Sequence, residues 1–75
     1  MENLQLVKNS KELAKNLKFF RLKSDLTQDE VARMLNIDRS TYSYYETGKT
    51  IPSIFTAIEL AKIFRIFFLD LFIKK

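Results

Sequence analysis

Several residue types are missing from this 75-residue chain, and each absence narrows what it can do. The chain has no cysteine and no histidine. Without cysteine it can form neither a disulfide framework nor a thiolate metal site. It also has no glycine-rich phosphate loop, no nucleophile–base pair and no pair of carboxylates placed to share one cleft. The sequence therefore predicts no catalysis, no cofactor and no metal.

Glycine and proline are scarce, with one residue of each. So few chain breakers argue against a many-turned β-fold and predict a helical bundle with short connections. The most apolar window, residues 54–73, contains four charged side chains. These charges exclude a plain transmembrane helix, because each would cost about 2.5–3.5 kcal/mol at the bilayer centre. Residues 1–10 lack the apolar run of a signal peptide, so we expect a cytoplasmic location and no membrane partner.

The charge is moderately basic, with 13 lysines and arginines against nine acidic residues and a net charge of +4. The basic excess lies in residues 1–26 and 53–75 rather than in the centre of the chain. A small basic domain is compatible with nucleic acid, but many proteins of this charge bind none. Charge alone therefore leaves the partner open.

The N-terminal part predicts an arm followed by one domain. Residues 1–10 show no firm period, and we expect a partly ordered arm. The domain runs over residues 11–73. Its first helix follows an N-cap at Asn9 or Ser10, whose side-chain oxygen can accept from a free backbone amide. The helix ends near Ser24–Asp25, and its buried stripe is Leu13, Ala14, Leu17 and Phe20.

The central stretch, residues 27–48, predicts two short helices joined by a tight turn. Thr27 and Glu30 have the spacing of a capping box, which marks the start of the first. Asn36 tolerates the left-handed conformation that the turn needs. Asp38 is expected to cap the second helix, which ends before the only glycine. The side chains predicted to fill the wedge between the helices are Val31, Ala32, Leu35, Ile37, Tyr42 and Tyr45.

The C-terminal part is unusually apolar. Ser53 is expected to cap a fourth helix, whose predicted buried stripe is Ile54, Ala57, Ile58, Ala61 and Phe64. Either a fifth short helix follows over residues 67–72, or the fourth helix continues through a weak break at residues 65–66. Nine of the eleven residues 63–73 are apolar, more than one face of a small bundle needs. We expect a homodimer patch there; ordinary core and contact with another protein or a membrane surface are alternatives. The candidate patch residues are Phe67, Phe68, Leu69 and Phe72.

Six short motifs follow one another along the chain: Leu26-Thr27-Gln28, Val31-Ala32, Leu35-Asn36-Ile37, Ser40-Thr41-Tyr42-Ser43, Tyr45-Glu46-Thr47-Gly48-Lys49 and Pro52-Ser53. Together they resemble the XRE, or lambda-repressor-like (Cro-type), helix-turn-helix family, and the resemblance covers about residues 11–72. It implies an all-α, compact five-helix bundle with a helix-turn-helix at about 27–47. It also implies a sequence-specific DNA-binding transcriptional regulator, expected to be a repressor. Such a protein would insert helix 38–47 in the major groove of a pseudo-palindromic operator as a homodimer. No small-molecule ligand is evident.

The resemblance implies roles for individual residues. The DNA bases would be contacted by Arg39, Ser40, Ser43 and Tyr44. The phosphates would be contacted by Gln28, Thr47 and Lys49. Arg21 and Glu46 match a family pair that forms a partly buried salt bridge between the first and third helices. The chain departs from the family at Arg65 and Phe67, where relatives often carry glycine or asparagine and a polar cap. This departure favours self-association of the tail.

Two alternatives to a DNA-reading repressor stay open. A protein-interaction module of the same fold, antitoxin-like or partner-binding, is suggested by the phenylalanine-rich tail. An activating contact with RNA polymerase could use Asp29 and Glu30, although capping and the helix dipole already explain two acidic residues in a first helical turn.

Overall fold

The computed structural model describes residues 4–75, which form four α-helices and one 3₁₀ helix. The α-helices are α1 (Ser10–Lys23), α2 (Gln28–Leu35), α3 (Arg39–Thr47) and α4 (Ile54–Phe64). The all-α class is confirmed. The five-helix count is not, because the segment expected to form a fifth helix is a 3₁₀ helix over Phe68–Phe72. No helix within the described range is long and apolar enough to cross a membrane.

Three of the four α-helices begin with a side-chain cap. The Asn9 side chain accepts from the Glu12 amide at the start of α1. At the start of α2, the Glu30 amide donates to Thr27 Oγ1 at 3.0 Å, and the Thr27 amide donates to Glu30 Oε1 at 2.8 Å. The Ser53 hydroxyl accepts from the Thr56 amide at the start of α4.

The expectation that Asp38 caps α3 through its side chain is wrong. Asp38 has the extended backbone of an N-cap but forms no side-chain capping hydrogen bond. Its side chain is exposed, so water can satisfy the carboxylate. The negative charge still lies near the positive end of the α3 dipole.

All four α-helices end with the same turn, in which one residue takes a left-handed backbone conformation. These residues are Asp25, Asn36, Gly48 and Arg65, with φ between 59° and 80°. In each case the next amide donates to a carbonyl five residues earlier, from Leu26 to Arg21, Ile37 to Ala32, Lys49 to Tyr44 and Ile66 to Ala61. This is the Schellman arrangement, which satisfies carbonyl groups left free at a helix end.

Arg65 ends α4, at the point where the sequence allows either a separate fifth helix or a continued fourth helix. The helix ends there because the Arg65 backbone is left-handed, with a φ of 59°. This conformation is unfavourable for most residues other than glycine. The following residue, Ile66, packs against the hydrophobic core. We infer that burial of Ile66 offsets the cost of the left-handed residue, because an apolar contact after the cap commonly accompanies this turn.

The core lies between α1, α2, α4 and the 3₁₀ helix, with Tyr42 reaching in from α3. The α1 helix packs on α3 and the 3₁₀ helix, and α2 packs on α3 and α4. Leu17, Val31, Tyr42, Leu60 and Leu71 are fully buried.

The predicted stripe of α4 is partly wrong. Ile54 and Ile58 are 59% and 38% exposed, whereas Leu60, which lies outside the predicted stripe, is fully buried. The side of α4 that contacts α2 and the 3₁₀ helix is formed by Ala57, Leu60, Ala61 and Phe64. Both sides of the helix are apolar, so helical period alone could not determine which side is buried.

The predicted dimer patch in the tail divides into two pairs. Phe67 and Leu69 are 84% and 59% exposed. Phe68 and Phe72 are half-buried against the core, with their ring centroids 5.1 Å apart. Of the four candidate residues, only Phe67 and Leu69 are thus exposed enough to contact a partner.

The two ends of the described chain pair with each other. The Val7 amide donates to the Phe72 carbonyl at 2.8 Å, and the Lys74 amide donates to the Gln5 carbonyl at 2.7 Å. These bonds flank an isolated antiparallel bridge between Leu6 and Ile73. The arm is therefore ordered from residue 4, and the expectation for residues 1–3 lies outside the described residues. The boundary between arm and domain stays a prediction.

Asn16 in α1 anchors this pairing. It is 3% exposed, and its Nδ2 donates to the carbonyls of Leu71 and Ile73 at 2.7 and 2.8 Å. Its Oδ1 accepts from the Lys75 amide at 3.3 Å. The side chain therefore holds the tail against α1, where Leu71 enters the core.

The anchor predicts a stability effect. Asn16→Ala leaves two carbonyl groups without their donors, and we expect the free energy of unfolding to fall by about 1–3 kcal/mol. Urea unfolding followed by circular dichroism measures this. Lys15→Ala, at the exposed neighbouring position, serves as the control and should stay within about 0.5 kcal/mol of the parent. Equal effects of the two variants would contradict the anchoring role.

Candidate nucleic-acid interface

The helix-turn-helix consists of α2, α3 and the turn between them. Asn36 takes the left-handed conformation, with φ 60° and ψ 44°. Val31 and Ala32 on α2 and Tyr42 on α3 are buried, and Leu35, Ile37 and Tyr45 pack against them. The small side chain of Ala32, 1% exposed, lies between the helices. The opposite side of α3 is left facing outward.

A buried ion pair holds α3 against α1. Arg21 Nε donates to Glu46 Oε2 at 2.7 Å, and Arg21 Nη2 donates to Glu46 Oε1 at 3.1 Å. The two side chains are 10% and 2% exposed. Arg21 Nη1 also donates to the Leu26 carbonyl at 2.9 Å, so the guanidinium fixes the turn before α2 as well. The structure thus brings together the two residues proposed as a structural pair.

Two further donors reach the same carboxylate. The Tyr42 hydroxyl donates to Glu46 Oε2 at 2.5 Å, and Gln28 Nε2 donates to Glu46 Oε1 at 3.1 Å. We call Arg21, Gln28, Tyr42 and Glu46 the Glu46 network. It joins α1, α2 and α3 at one group. Within the described residues, no buried side-chain nitrogen or oxygen lacks a hydrogen-bond partner.

The network sets the protonation states of its members. Burial by itself would raise the pKa of the Glu46 carboxyl, but hydrogen bonds from Arg21, Tyr42 and Gln28 outweigh it and lower the pKa below its usual value. Burial and the hydrogen bond to Glu46 raise the pKa of the Tyr42 phenol. The hydrogen bond to Glu46 likewise raises the pKa of Arg21. At neutral pH the network therefore contains a carboxylate, a guanidinium and a neutral phenol.

Sequence reasoning missed the polar roles of Tyr42 and Gln28. The sequence predicts Tyr42 as a core residue, and its ring is buried, but its hydroxyl also donates to Glu46. The i,i+4 spacing of Tyr42 and Glu46 on one helix could have indicated this contact. The family resemblance predicts a phosphate contact for Gln28, and no local pattern links it to Glu46, 18 positions away.

The outer side of α3 carries most of the residues predicted to contact bases. Arg39, Ser40 and Tyr44 are exposed, and Ser43 is half-buried. Thr47 and Lys49 are exposed at the end of the helix. Lys49 Nζ lies 4.9 Å from the centroid of the Tyr44 ring, so a predicted phosphate contact and a predicted base contact are neighbours. The Thr47 hydroxyl donates to the Tyr44 carbonyl at 3.2 Å.

A cleft of about 580 Å³ lies at the start of α2 and α3. Gln28 and Arg39 both line it, together with Asp25 and Asp29. Asp29 accepts from Arg33 Nη2 at 2.9 Å, which offsets part of the negative charge. The structure therefore places Gln28, at the N-terminus of α2, beside Arg39, at the N-terminus of α3. Backbone amides at helix N-termini suit anionic groups.

The α1 helix also meets the end of α3. The Ser10 hydroxyl donates to the Gly48 carbonyl at 2.8 Å. A Cβ atom at Gly48 would lie 3.0 Å from Lys11 Cγ, and the φ of +80° is one that glycine adopts freely. Both the backbone conformation and the close packing therefore favour glycine at this position.

Two short helices locked by a buried wedge, with the outer side of the second left open, define the helix-turn-helix class of DNA-binding proteins. The family model HTH_3, described as Helix-turn-helix, matches residues 17–66. The chain belongs to this family, which the sequence analysis identified by resemblance.

Relatives and solved structures agree with this assignment. An uncharacterized HTH-type transcriptional regulator from Methanocaldococcus jannaschii is 39% identical over 57 residues, which cover 76% of this chain and 86% of the relative. The restriction-modification controller protein C.AhdI from Aeromonas hydrophila is 26% identical with a TM-score of 0.78, covering 83% of this chain and 94% of that one. The hypothetical transcription factor NHTF from Neisseria superimposes with a TM-score of 0.82 at 22% identity, covering 93% and 84%, and supports the fold alone. The chain is therefore a DNA-binding regulator and not an enzyme.

The Glu46 network predicts a pH dependence of stability. Because the pKa of Glu46 is lowered in the folded state, its contribution is complete above its ordinary value of 4.5 and is lost as pH falls through the lower value. Urea unfolding of the parent between pH 7 and pH 3 should show this decline. Glu46→Gln should flatten it and cost about 3 kcal/mol at pH 7, since it leaves Arg21 without its counter-charge.

Glu59→Gln is the matched control, since the Glu59 side chain is 57% exposed. It should leave the acid-induced decline unchanged. A Glu46→Gln protein with the same decline as the parent would show that the network does not control acid stability.

Proposed function

We propose that this chain is a sequence-specific transcriptional repressor that places α3 in the major groove of a pseudo-palindromic operator, as a homodimer. The observation that carries this proposal is the division of α3 into two sides. Tyr42 and Glu46 lie in the buried wedge and its network, while Arg39, Ser40 and Tyr44 face outward and are exposed. An exposed helix held by α1 and α2 is the arrangement that major-groove recognition requires.

In this proposal, a small and mostly neutral set of side chains on α3 recognises the DNA sequence. Arg39 can donate two hydrogen bonds to one guanine, and the hydroxyls of Ser40 and Ser43 can bond to several bases. Tyr44 adds an exposed aromatic ring. Glu46 does not repel DNA as a free acid would, because Arg21 pairs with it. The outer side of α3 thus carries Arg39 as its basic residue, and specificity depends on hydroxyl contacts as well as on charge.

Backbone contacts complete the interface in the proposal. Gln28 lies at the N-terminus of α2, where backbone amides can hold a phosphate. Its Nε2 already donates to Glu46, and the amide side chain carries a second N–H that can turn to DNA. Thr47 and Lys49 supply the contact beyond α3. Each half-site is held by few cations, so affinity should depend only moderately on salt.

The base-reading role predicts a defined loss for one variant. Arg39→Ala should lower operator affinity by about 1–3 kcal/mol and relax specificity at one base pair, because a bidentate contact is removed. The operator is first obtained by selection from random oligonucleotides with the purified parent protein. Binding of parent and variant is then compared on the operator and on single-base substitutions. Unchanged affinity and specificity would show that α3 presents a different side.

The phosphate role predicts a different signature for Lys49. Lys49→Ala should weaken binding to all sequences alike and lower the slope of log affinity against log salt by about one per half-site. Binding is measured on operator and random DNA from low to high salt. Lys15→Ala removes an equal charge from a surface of α1 beside the tail and should leave the slope nearly unchanged. A loss confined to the operator would assign Lys49 to base reading.

A second candidate function is a protein-interaction module of the same fold. It is favoured by exposed phenylalanine side chains, since Phe55 and Phe67 are 77% and 84% exposed. The same oligonucleotide selection separates the two functions. Enrichment of one sequence supports the repressor, whereas no enrichment of any sequence supports the interaction module.

A further inference from the structure

A hollow of about 390 Å³ lies between the end of α1 and the end of α4. We call it the phenylalanine hollow. Its lining consists of three phenylalanines, one isoleucine, two lysines and one serine: Phe19, Phe20, Phe64, Ile66, Lys23, Lys75 and Ser24. None of these residues belongs to α3 or has a proposed contact with DNA. A ligand in the hollow would therefore leave the proposed DNA contacts free.

The phenylalanine rings form the apolar part of the hollow. Phe20 and Phe64 are buried in the core, and their rings are stacked, with centroids 6.4 Å apart and an angle of 22° between the planes. Phe19 is exposed and meets Phe20 edge-on, with centroids 5.2 Å apart. Two packed rings and one open ring suit the flat apolar body of a small molecule.

Two lysines hold their charges against these rings. Lys75 Nζ lies 5.4 Å from the centroid of the Phe20 ring, and Lys23 Nζ lies 5.7 Å from that of Phe19. Each is a cation–π contact, in which the ammonium group lies against a ring. The ion pairs within residues 4–75 use other basic residues, namely Arg21, Arg33, Lys62 and Lys74. Both ammonium groups are therefore available to an anion that enters the hollow.

No acidic side chain of the described residues lines the hollow. A second hollow of about 400 Å³ adjoins it through Lys23, Ser24 and Phe64, and its lining adds Arg65 but again no acidic residue. Three cations thus surround one apolar space, with no counter-charge in its lining. This distribution is complementary to a ligand that carries negative charge on an apolar body.

Helix ends account for these cations only in part. Lys23 lies in the last turn of α1, where a cation suits the helix dipole. The carbonyls at that end already have donors, because the Ser24 amide donates to the carbonyls of Phe20 and Arg21 and the Ser24 hydroxyl donates to Phe20 at 2.8 Å. Lys75 lies outside any helix. Since the Ser24 proton is engaged, recognition of an anion in the hollow is left to the lysines.

We propose that the phenylalanine hollow binds a small aryl carboxylate, with its ring on the phenylalanines and its carboxylate beside Lys23 and Lys75. The volume lies in the range of small-molecule sites and holds one ring system with its head group. The ring of the ligand would take the place of the ammonium groups on the phenylalanine faces, and the same ammonium groups would pair with the carboxylate. A protein partner would need about 800 Å² of matching surface instead.

Naphthoate, a flat aryl carboxylate, is the probe, and naphthamide is its uncharged counterpart. Naphthoate added to the isotope-labelled parent should shift the backbone amide signals of residues 19–24 and 63–66 in two-dimensional NMR spectra, with a dissociation constant of about 1 mM or below. Naphthamide should bind about threefold more weakly, because it cannot form an ion pair. Equal binding of the two probes, shifts confined to α3, or no shift up to about 10 mM naphthoate would overturn the proposal.

A matched pair of lysine variants tests the charge. Lys23→Gln should weaken naphthoate binding about threefold and leave naphthamide binding unchanged, because only naphthoate pairs with the ammonium group. Lys18→Gln changes an exposed lysine of the same helix that does not line the hollow, and it should affect neither probe. Both side chains are exposed, so thermal unfolding should match that of the parent. Equal weakening of naphthoate by the two variants would indicate general attraction to a basic protein and contradict the proposed site.

A matched pair of phenylalanine variants tests the apolar part. Phe19→Ala should weaken naphthoate and naphthamide by a similar factor of about three or more, because both probes lose the same ring contact. Phe67→Ala changes an exposed phenylalanine outside the hollow and should leave both probes unaffected. Naphthoate binding that is unchanged by Phe19→Ala would show that the probe lies elsewhere.

A short peptide of alternating aspartate and phenylalanine distinguishes a small molecule from a protein segment of the same chemistry. Weaker binding of the peptide than of naphthoate supports the small-molecule site. Tighter binding of the peptide at the same residues would assign the hollow to a protein partner and overturn the proposal. These titrations contain no DNA, and the oligonucleotide selection contains no aryl carboxylate. Failure of this site and failure of the proposed repressor function are therefore observed separately.

Discussion

The orientation of α3 depends on one buried carboxylate. Glu46 accepts hydrogen bonds from Arg21 on α1, from Gln28 on α2 and from Tyr42 one turn away on α3. A buried charge is costly unless it is both paired and hydrogen-bonded. These partners come together only when the three helices lie in this arrangement. The carboxylate thus stabilises one orientation of α3 relative to α1 and α2.

The same group connects the two parts of the candidate DNA interface. Gln28 stands at the start of α2, where a phosphate contact is proposed, and its side chain bonds to the residue that holds α3 in place. A phosphate at Gln28 and bases along α3 would therefore be read by elements fixed to each other. The network also removes Glu46 from the charge facing DNA, because its carboxylate is paired with Arg21. The side chains proposed to contact bases are therefore few and largely neutral.

The α4 helix and the tail show how a short chain distributes its apolar residues. Asn16 holds the tail against α1, and this brings Leu71 into the core and turns Phe68 and Phe72 inward. Two of the three phenylalanines that follow α4 thereby pack against the core. The α4 helix, in contrast, has apolar side chains that the bundle does not cover, among them Ile54 and Phe55.

Local sequence patterns were sufficient to predict the helix-turn-helix. The capping box of Thr27 and Glu30, the turn at Asn36 and the end at Gly48 depend on residues within a few positions of one another, so pattern and propensity suffice. Family resemblance added the pairing of Arg21 with Glu46. Three features became evident only from the packing of the helices: the side of α4 that is buried, the end of α4 at Arg65, and the carboxylate shared by Gln28 and Tyr42. Each of these features depends on which helices pack against one another in the folded chain, and helical period does not predict which helices become neighbours.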